Sequence, residues 1–206
     1  RVADMRSRAA RVDMASASVA RGTSSLSQRT QEQADNLRQT VTTRLNLEMA
    51  PSPEMVQFAL QLLPDMVTLV PERRQELTTE GGLDVVANEK NLEQAVAQLR
   101  AQHIHVSMFI DPEASQVRAS QKVGANMIEL HTGHFSRSFH AGMGDESWIG
   151  ERARLMRATA LGRRYGLRVN AGHGLDYQNV AYVSSIEGLE ELNIGHSLMG
   201  RAVLVG

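Results

Sequence analysis

The sequence predicts an α/β chain of parallel βα units forming a (β/α)8 TIM-type barrel. Three observations carry this expectation. From Leu45 onward, short apolar runs of strand length alternate with segments of helical spacing. Each run carries ionisable or amide residues at or near its carboxyl end, where a barrel assembles its active site. The pattern Asn-x-Gly-His also occurs twice, at Asn170-Ala171-Gly172-His173 and Asn193-Ile194-Gly195-His196. Each copy follows an apolar run, and one βα unit fits between them. An amide, a glycine with accessible backbone N–H and an imidazole at adjacent strand ends make a phosphate-binding, acid/base-equipped pocket.

Each element has its own justification. Leu45–Met49 is a short strand. Pro53–Leu63 has Met55, Val56, Ala59, Leu60 and Leu63 at helical spacing. Met66–Val70 is an apolar run of strand length. Glu89–Ala101 gathers Leu92, Ala95, Val96 and Leu99 on one side of a helix. Val106–Ile110 is a strand, Pro112–Val123 a helix and Met127–Leu130 a strand. Glu151–Tyr165 is a helix, Leu167–Ala171 a strand, Asn179–Ser185 a short helix and Leu189–Ile194 a strand. Leu198–Val205 begins another helix or a short anion-binding turn. A doubly wound open sheet would also accommodate six strands. The spread of polar residues over all the strand ends favours the barrel, because an open sheet gathers its chemistry at one switch point.

Composition narrows the function classes. The 206 residues suffice for one large domain with a real core. A net charge of −1 implies no broad basic surface for nucleic acid. The chain has no cysteine, which excludes disulfides, thiolate metal sites and a cysteine nucleophile. That usage suits a reducing cytoplasm. No apolar stretch approaches the roughly 18–20 residues of a membrane span. The lysines are Lys90 and Lys122, both in helix-like segments, so a Schiff-base lysine is not expected. A bound phosphate would be held by arginine or backbone N–H groups.

Residues 1–43 stand apart from residues 44–206. They are rich in Arg, Ala, Ser and Thr, have no aromatic residue and read as a poorly ordered leader. An Arg/Ser-rich transit peptide is an alternative that Asp4 and Asp13 weaken. Ala34–Thr43 has a helical pattern leading into the first strand.

The strand-end residues supply the candidate chemistry. Glu48 lies within an apolar strand, where a carboxylate is either satisfied by an arginine or tuned as an acid/base. Glu129 shares this ambiguity, and its strand position favours a pocket-facing role. His131 and His134 flank Thr132-Gly133 in an expected turn. With His173 and His196 they form a weak candidate metal set. His103, His105 and His140 read as surface or core histidines. The charged segment 71–84 reads as a substrate loop in which Thr78, Thr79, Gly81 and Gly82 offer donors to a phosphate, or as a solvated loop.

These residues resemble the pyridoxine 5′-phosphate synthase family of bacterial vitamin B6 biosynthesis. The matching stretches are Leu45-Asn46-Leu47-Glu48-Met49-Ala50, Val70-Pro71-Glu72-Arg73-Arg74-Gln75-Glu76, Thr78-Thr79-Glu80-Gly81-Gly82-Leu83-Asp84, Ile128-Glu129-Leu130-His131-Thr132-Gly133, Val169-Asn170-Ala171-Gly172-His173-Gly174-Leu175 and Glu191-Leu192-Asn193-Ile194-Gly195-His196. They lie in family order from about Arg38 to Gly206. The resemblance implies a (β/α)8 barrel assembled as an octamer of four dimers. It also implies condensation of 1-deoxy-D-xylulose 5-phosphate with 3-amino-2-oxopropyl phosphate to pyridoxine 5′-phosphate, inorganic phosphate and water. No metal or organic cofactor is implied.

Carried over by resemblance, Glu48 is a general base and His173 the general acid that assists a leaving group. Glu129 is the carboxylate that stabilises a transition state. Thr78 contacts the pentulose phosphate, and Gly174, Gly195 and His196 bind the amino-ketone phosphate and the product phosphate. The family's first strand, with Asn-x-Asp-His, and its His-Leu-Arg-Glu-Asp-Arg-Arg-His motif have no counterpart in residues 1–43. The family's last helix would lie beyond Gly206, so the barrel is expected to lack its first strand and last helix. A short insertion is expected at His140–Ser147. One set of permitted codons for Ala20–Leu26, read one base on, gives Arg-Glu-Glu-Arg-Arg-His, close to the second motif. Two other readings remain: an inactive fragment or pseudoenzyme that binds sugar phosphate or joins an oligomer, and a metal-dependent barrel aldolase or hydrolase.

Overall fold

A computed structural model describes residues 36, 38–72, 81–141 and 146–205. The chain divides into two compact units, Arg1–Thr43 and Arg44–Gly206. In the first, Asn36 and Arg38–Thr40 are helical, and the Thr40 hydroxyl donates to the Asn36 carbonyl at 2.8 Å.

The second unit contains the strands β1 (Asn46–Met49), β2 (Met66–Leu69), β3 (His105–Ile110), β4 (Met127–His131), β5 (Arg168–Gly172) and β6 (Leu192–Asn193). All are parallel and pair in the order of the chain. The helices are α1 (Pro53–Leu62), α2 (Glu89–Ala101), α3 (Ala114–Lys122), α4 (Gly133–His140), α5 (Ser147–Arg164), α6 (Val180–Ser184) and α7 (His196–Val205). This is an incomplete TIM-type barrel: βα units in sequence, with β1 and β6 at the edges of the described sheet.

Register sorts the side chains onto two faces. In-register partners on parallel strands project to the same side, and successive residues alternate. Leu47, Met49, Val67, Leu69, Val106, Met108, Ile110, Ile128, Leu130, Val169 and Ala171 share one face and form the core with the helices. Against them pack Val56 and Ala59 of α1, Leu92, Val96 and Leu99 of α2, Val117 of α3, and Leu155 and Ala158 of α5. Each large aliphatic side chain so buried contributes about 1.5–3 kcal/mol. The opposite face carries Glu48, Thr68 and Ser107 in one row, then Phe109, Glu129 and Asn170, then His131, Gly172 and Asn193. The strands therefore alternate between an apolar and a chemically equipped side.

Local signals fix the helix ends. Ser52 caps α1 by accepting the Met55 N–H at 3.3 Å, Pro53 occupies its first turn, and Leu63 ends it in the left-handed conformation with φ 50°. Helix α2 spans the predicted residues, and the other predicted helices and strands are present with ends shifted by a few residues. Strand β6 is shorter than predicted, at Leu192–Asn193, and the segment from Leu198 is a helix that starts earlier, at His196.

The structure corrects one prediction outright. The residues after His131 do not form a turn carrying both His131 and His134. Helix α4 begins at Gly133, so His134 lies on a helix and His131 on a strand. Phe135 and Phe139 sit one helical turn apart, and their rings meet Trp148 at 6.3 and 5.7 Å. That aromatic cluster also explains why α5 starts at Ser147 rather than Glu151. The expected insertion is bounded by the end of α4 and the start of α5, and residues 142–145 lie outside the described residues.

Candidate active site at the carboxyl ends of the strands

The carboxyl ends of the strands surround a cavity of about 1900 Å³. Among its walls are Glu48, Glu129, His131, His173, Gly174, Asn193, Gly195 and His196. The cavity thus gathers Glu48, His173, Glu129, Gly174, Gly195 and His196, predicted from separate points of the sequence. Thr78, with the rest of 73–80, lies outside the described residues. The predicted donors Gly81 and Gly82 line the cavity.

Glu129 is the most strongly perturbed group of the site. Its side chain projects from the middle of the sheet, and the residue is 4% exposed. Burial raises its pKa to about 7, opposed by a hydrogen bond from Asn193 and reinforced by the charge of Glu48. Asn193 Nδ2 donates to Oε2 of Glu129 at 2.5 Å. Gly172, beside Glu129 on β5, has to be glycine: a Cβ there would stand 2.5 Å from Oε1 of Glu129 and 2.8 Å from the Asn193 carbonyl oxygen. The two Asn-x-Gly-His motifs thus differ in use. In the first, the glycine makes room for the glutamate; in the second, the asparagine binds it.

Glu48 is placed differently from Glu129. It lies on the edge strand β1, flanked only by β2 among the described strands, and is exposed. With a strand paired on one side alone, Glu48 stays exposed and lines the cavity.

His173 is held by its backbone. Its φ is +79°, in the left-handed region. The Thr132 hydroxyl lies 2.7 and 2.6 Å from the carbonyl oxygens of Gly172 and His173 and shares its proton between them. The Ser136 hydroxyl donates to the Gly174 carbonyl at 2.5 Å, and Asn179 Nδ2 donates to Ser136 Oγ at 3.1 Å. Helix α4 therefore clamps the loop that presents the imidazole. Gly195 is open to solvent, with nothing near the position of a Cβ, and His196 begins α7.

The sequence marks Asp111 as a strand-end ionisable residue but assigns no role to it, to Thr132 or to the Asn193 side chain. Asp111 is the residue after β3 and lies 3.0 Å from Nδ1 of His131. Its position directly after an apolar strand was the available signal. The histidines do not assemble as a metal site: among the described residues, no group of three or more His, Asp or Glu side chains is placed to hold an ion. Ser107 Oγ and Asn170 Oδ1 are buried without a hydrogen-bond partner among the described residues. No described helix is long and apolar enough to cross a membrane.

A parallel βα sheet with carboxylates and imidazoles around its carboxyl-end cavity defines a barrel enzyme of acid/base type. The FimX EAL domain of Xanthomonas citri shares the fold, with a TM-score of 0.54 at 14% identity over 77% of this chain and 61% of that one. Residues 28–206 match the family model described as pyridoxal phosphate biosynthesis protein PdxJ, and the chain belongs to that family. The pyridoxine 5′-phosphate synthase of Synechococcus sp. (strain RCC307) is 56% identical over 82% of this chain and 66% of its own length. That of Geobacter sulfurreducens is 55% identical over 82% of this chain and 70% of its own length. The chain thus spans about two thirds of the length of such relatives.

Proposed function

We propose that this chain acts as a pyridoxine 5′-phosphate synthase. It condenses 1-deoxy-D-xylulose 5-phosphate with 3-amino-2-oxopropyl phosphate and releases pyridoxine 5′-phosphate, inorganic phosphate and water. The single observation that carries this reading is Glu129 poised near neutrality in the same cavity as Glu48 and His173. The condensation needs repeated proton transfers at neutral pH, and groups able to hold or release a proton there serve it best. The substrate amine attacks the ketone of the pentulose phosphate, so no enzyme amine is required. Glu48, open to the cavity, accepts protons as general base. His173 protonates the departing oxygen as general acid. Glu129 donates or accepts a hydrogen bond at oxygen as charge develops there.

Gly174, Gly195 and His196 take the amino-ketone phosphate and the product phosphate, and Thr78 contacts the pentulose phosphate. The open backbone at Gly195, just before α7, suits a dianion. A cytoplasmic homo-oligomer, an octamer of four dimers, completes the proposal, with no metal or organic cofactor. The test is to incubate the purified chain with both substrates and follow pyridoxine 5′-phosphate and phosphate release. Turnover that falls about 10²-fold or more in Glu48→Gln and His173→Asn is expected. A wild-type chain that binds inorganic phosphate but forms no product would overturn the reading.

A further inference from the structure

The acid/base roles above leave one built feature unused, the contact of His131 in the cavity wall with Asp111, the residue after β3. The His131 side chain, at the end of β4, is 1% exposed. Its Nδ1 lies 3.0 Å from Oδ1 of Asp111, and the same oxygen accepts the Gly82 N–H at 3.2 Å. Burial works against the Asp111 anion. The hydrogen bonds from His131 and Gly82 and the charges of His131 and His134 outweigh it and hold the carboxyl below its ordinary pKa. An anionic acceptor at Nδ1 favours the tautomer with its proton on that nitrogen.

The rest of the imidazole is enclosed. Gly133 closes the Nε2 side: a Cβ there would lie 2.5 Å from His131 Nε2 and 3.3 Å from His173 Cδ2. The His173 ring centre is 5.0 Å from that of His131. Phe109 stands edge-on to both rings, at 5.2 and 6.3 Å. His134 lies 6.1 Å away. The His131 ring therefore has one permitted orientation, set by Asp111, and the His173 ring packs on it.

We propose that Asp111 and His131 are positioning residues for His173, with Asp111 fixing the tautomer and angle of His131 and His131 setting the place of the His173 imidazole in the cavity. Through the Gly82 N–H, the same carboxylate also ties the backbone just before Leu83 to that imidazole pair. The inference rests on the reading of His173 as the general acid. Its nearest precedent in physical terms is a carboxylate that orients a histidine without itself taking a proton, although Asp111 is half-buried rather than buried.

The test replaces the charge and keeps the shape, as Asp111→Asn, alongside His131→Gln and Asp111→Glu. In the synthase assay, kcat falls about 10²-fold in Asp111→Asn, KM for both substrates stays within about twofold, and the kcat–pH profile moves. Asp111→Glu restores part of the loss. Long-range 1H–15N spectra of the wild type show His131 as the Nδ1–H tautomer. In Asp111→Asn and His131→Gln the His173 ring signals shift. Wild-type kcat and pH profile in Asp111→Asn would overturn the proposal. So would a loss of kcat with unchanged His173 signals, which assigns the pair a merely structural part. If the wild-type chain itself has no synthase activity, the proposed reaction fails, and the His173 spectra alone decide this inference.

Discussion

At the scale of single residues, Glu129 governs how the site responds to pH. Its pKa rises in the fold from 4.5 to about 7. Between those values the folded chain binds more protons than the unfolded chain, so this residue makes stability fall as pH rises through the window. Below the window both states are protonated and the effect vanishes; above it the full penalty, on the order of 3 kcal/mol, is present. Urea denaturation of wild type and Glu129→Gln from pH 4.5 to 8 should show the variant gaining relative stability as pH rises. A constant difference across that range would contradict this. Asn193 opposes the shift, so Asn193→Leu should carry the Glu129 pKa above that of the wild type, read by carboxyl 13C titration. A lower value would show that the amide is not stabilising the anion. Both glutamates were legible as strand-end carboxylates. Their opposite exposures were not, because exposure depends on whether a strand has neighbours on both sides. The Asn193–Glu129 bond joins residues 64 positions apart, beyond what local spacing encodes.

At the scale of elements, the apolar runs and helical spacings located the strands and most helices, since helical period marks the helices and short run length marks the buried strands. Helix α4 escaped because Gly-His-Phe-Ser-Arg-Ser-Phe-His looks polar and begins with a poor helix former. Its stability comes from Phe135 and Phe139 packing on Trp148 of the next helix and, for Phe139, on Tyr182 of α6. That contact is tertiary and invisible in a local pattern. The helix carries a functional load, since Thr132 and Ser136 hold the loop of His173. Phe135 is 1% exposed, and Phe135→Ala should cost about 3–5 kcal/mol in urea denaturation. If α4 clamps that loop, the variant should also lower kcat under conditions where it remains folded. Unchanged kcat in the folded variant would separate the aromatic cluster from the site.

At the scale of the molecule, strict βα alternation made the parallel sheet legible, and polar residues at every strand end made its active side legible. What the pattern could not give was the row structure, in which Phe109, Glu129 and Asn170 lie side by side. Register is set by pairing, and no single strand contains it. The strand order has a kinetic consequence. Every described strand pairs only with its neighbours in the chain among the described strands, so this sheet can grow by adding one unit at a time with short loop closures. The Asp111–His131 contact spans 20 residues, whereas Glu129–Asn193 spans 64 and awaits the docking of β6. During refolding, pulse-labelled amides of β3 and β4 should gain protection no later than those of β5 and β6; the reverse order would rule out growth from the middle of the sheet. The histidine support would then form early, and the neutral-range glutamate would acquire its chemistry only as the last described strand arrives.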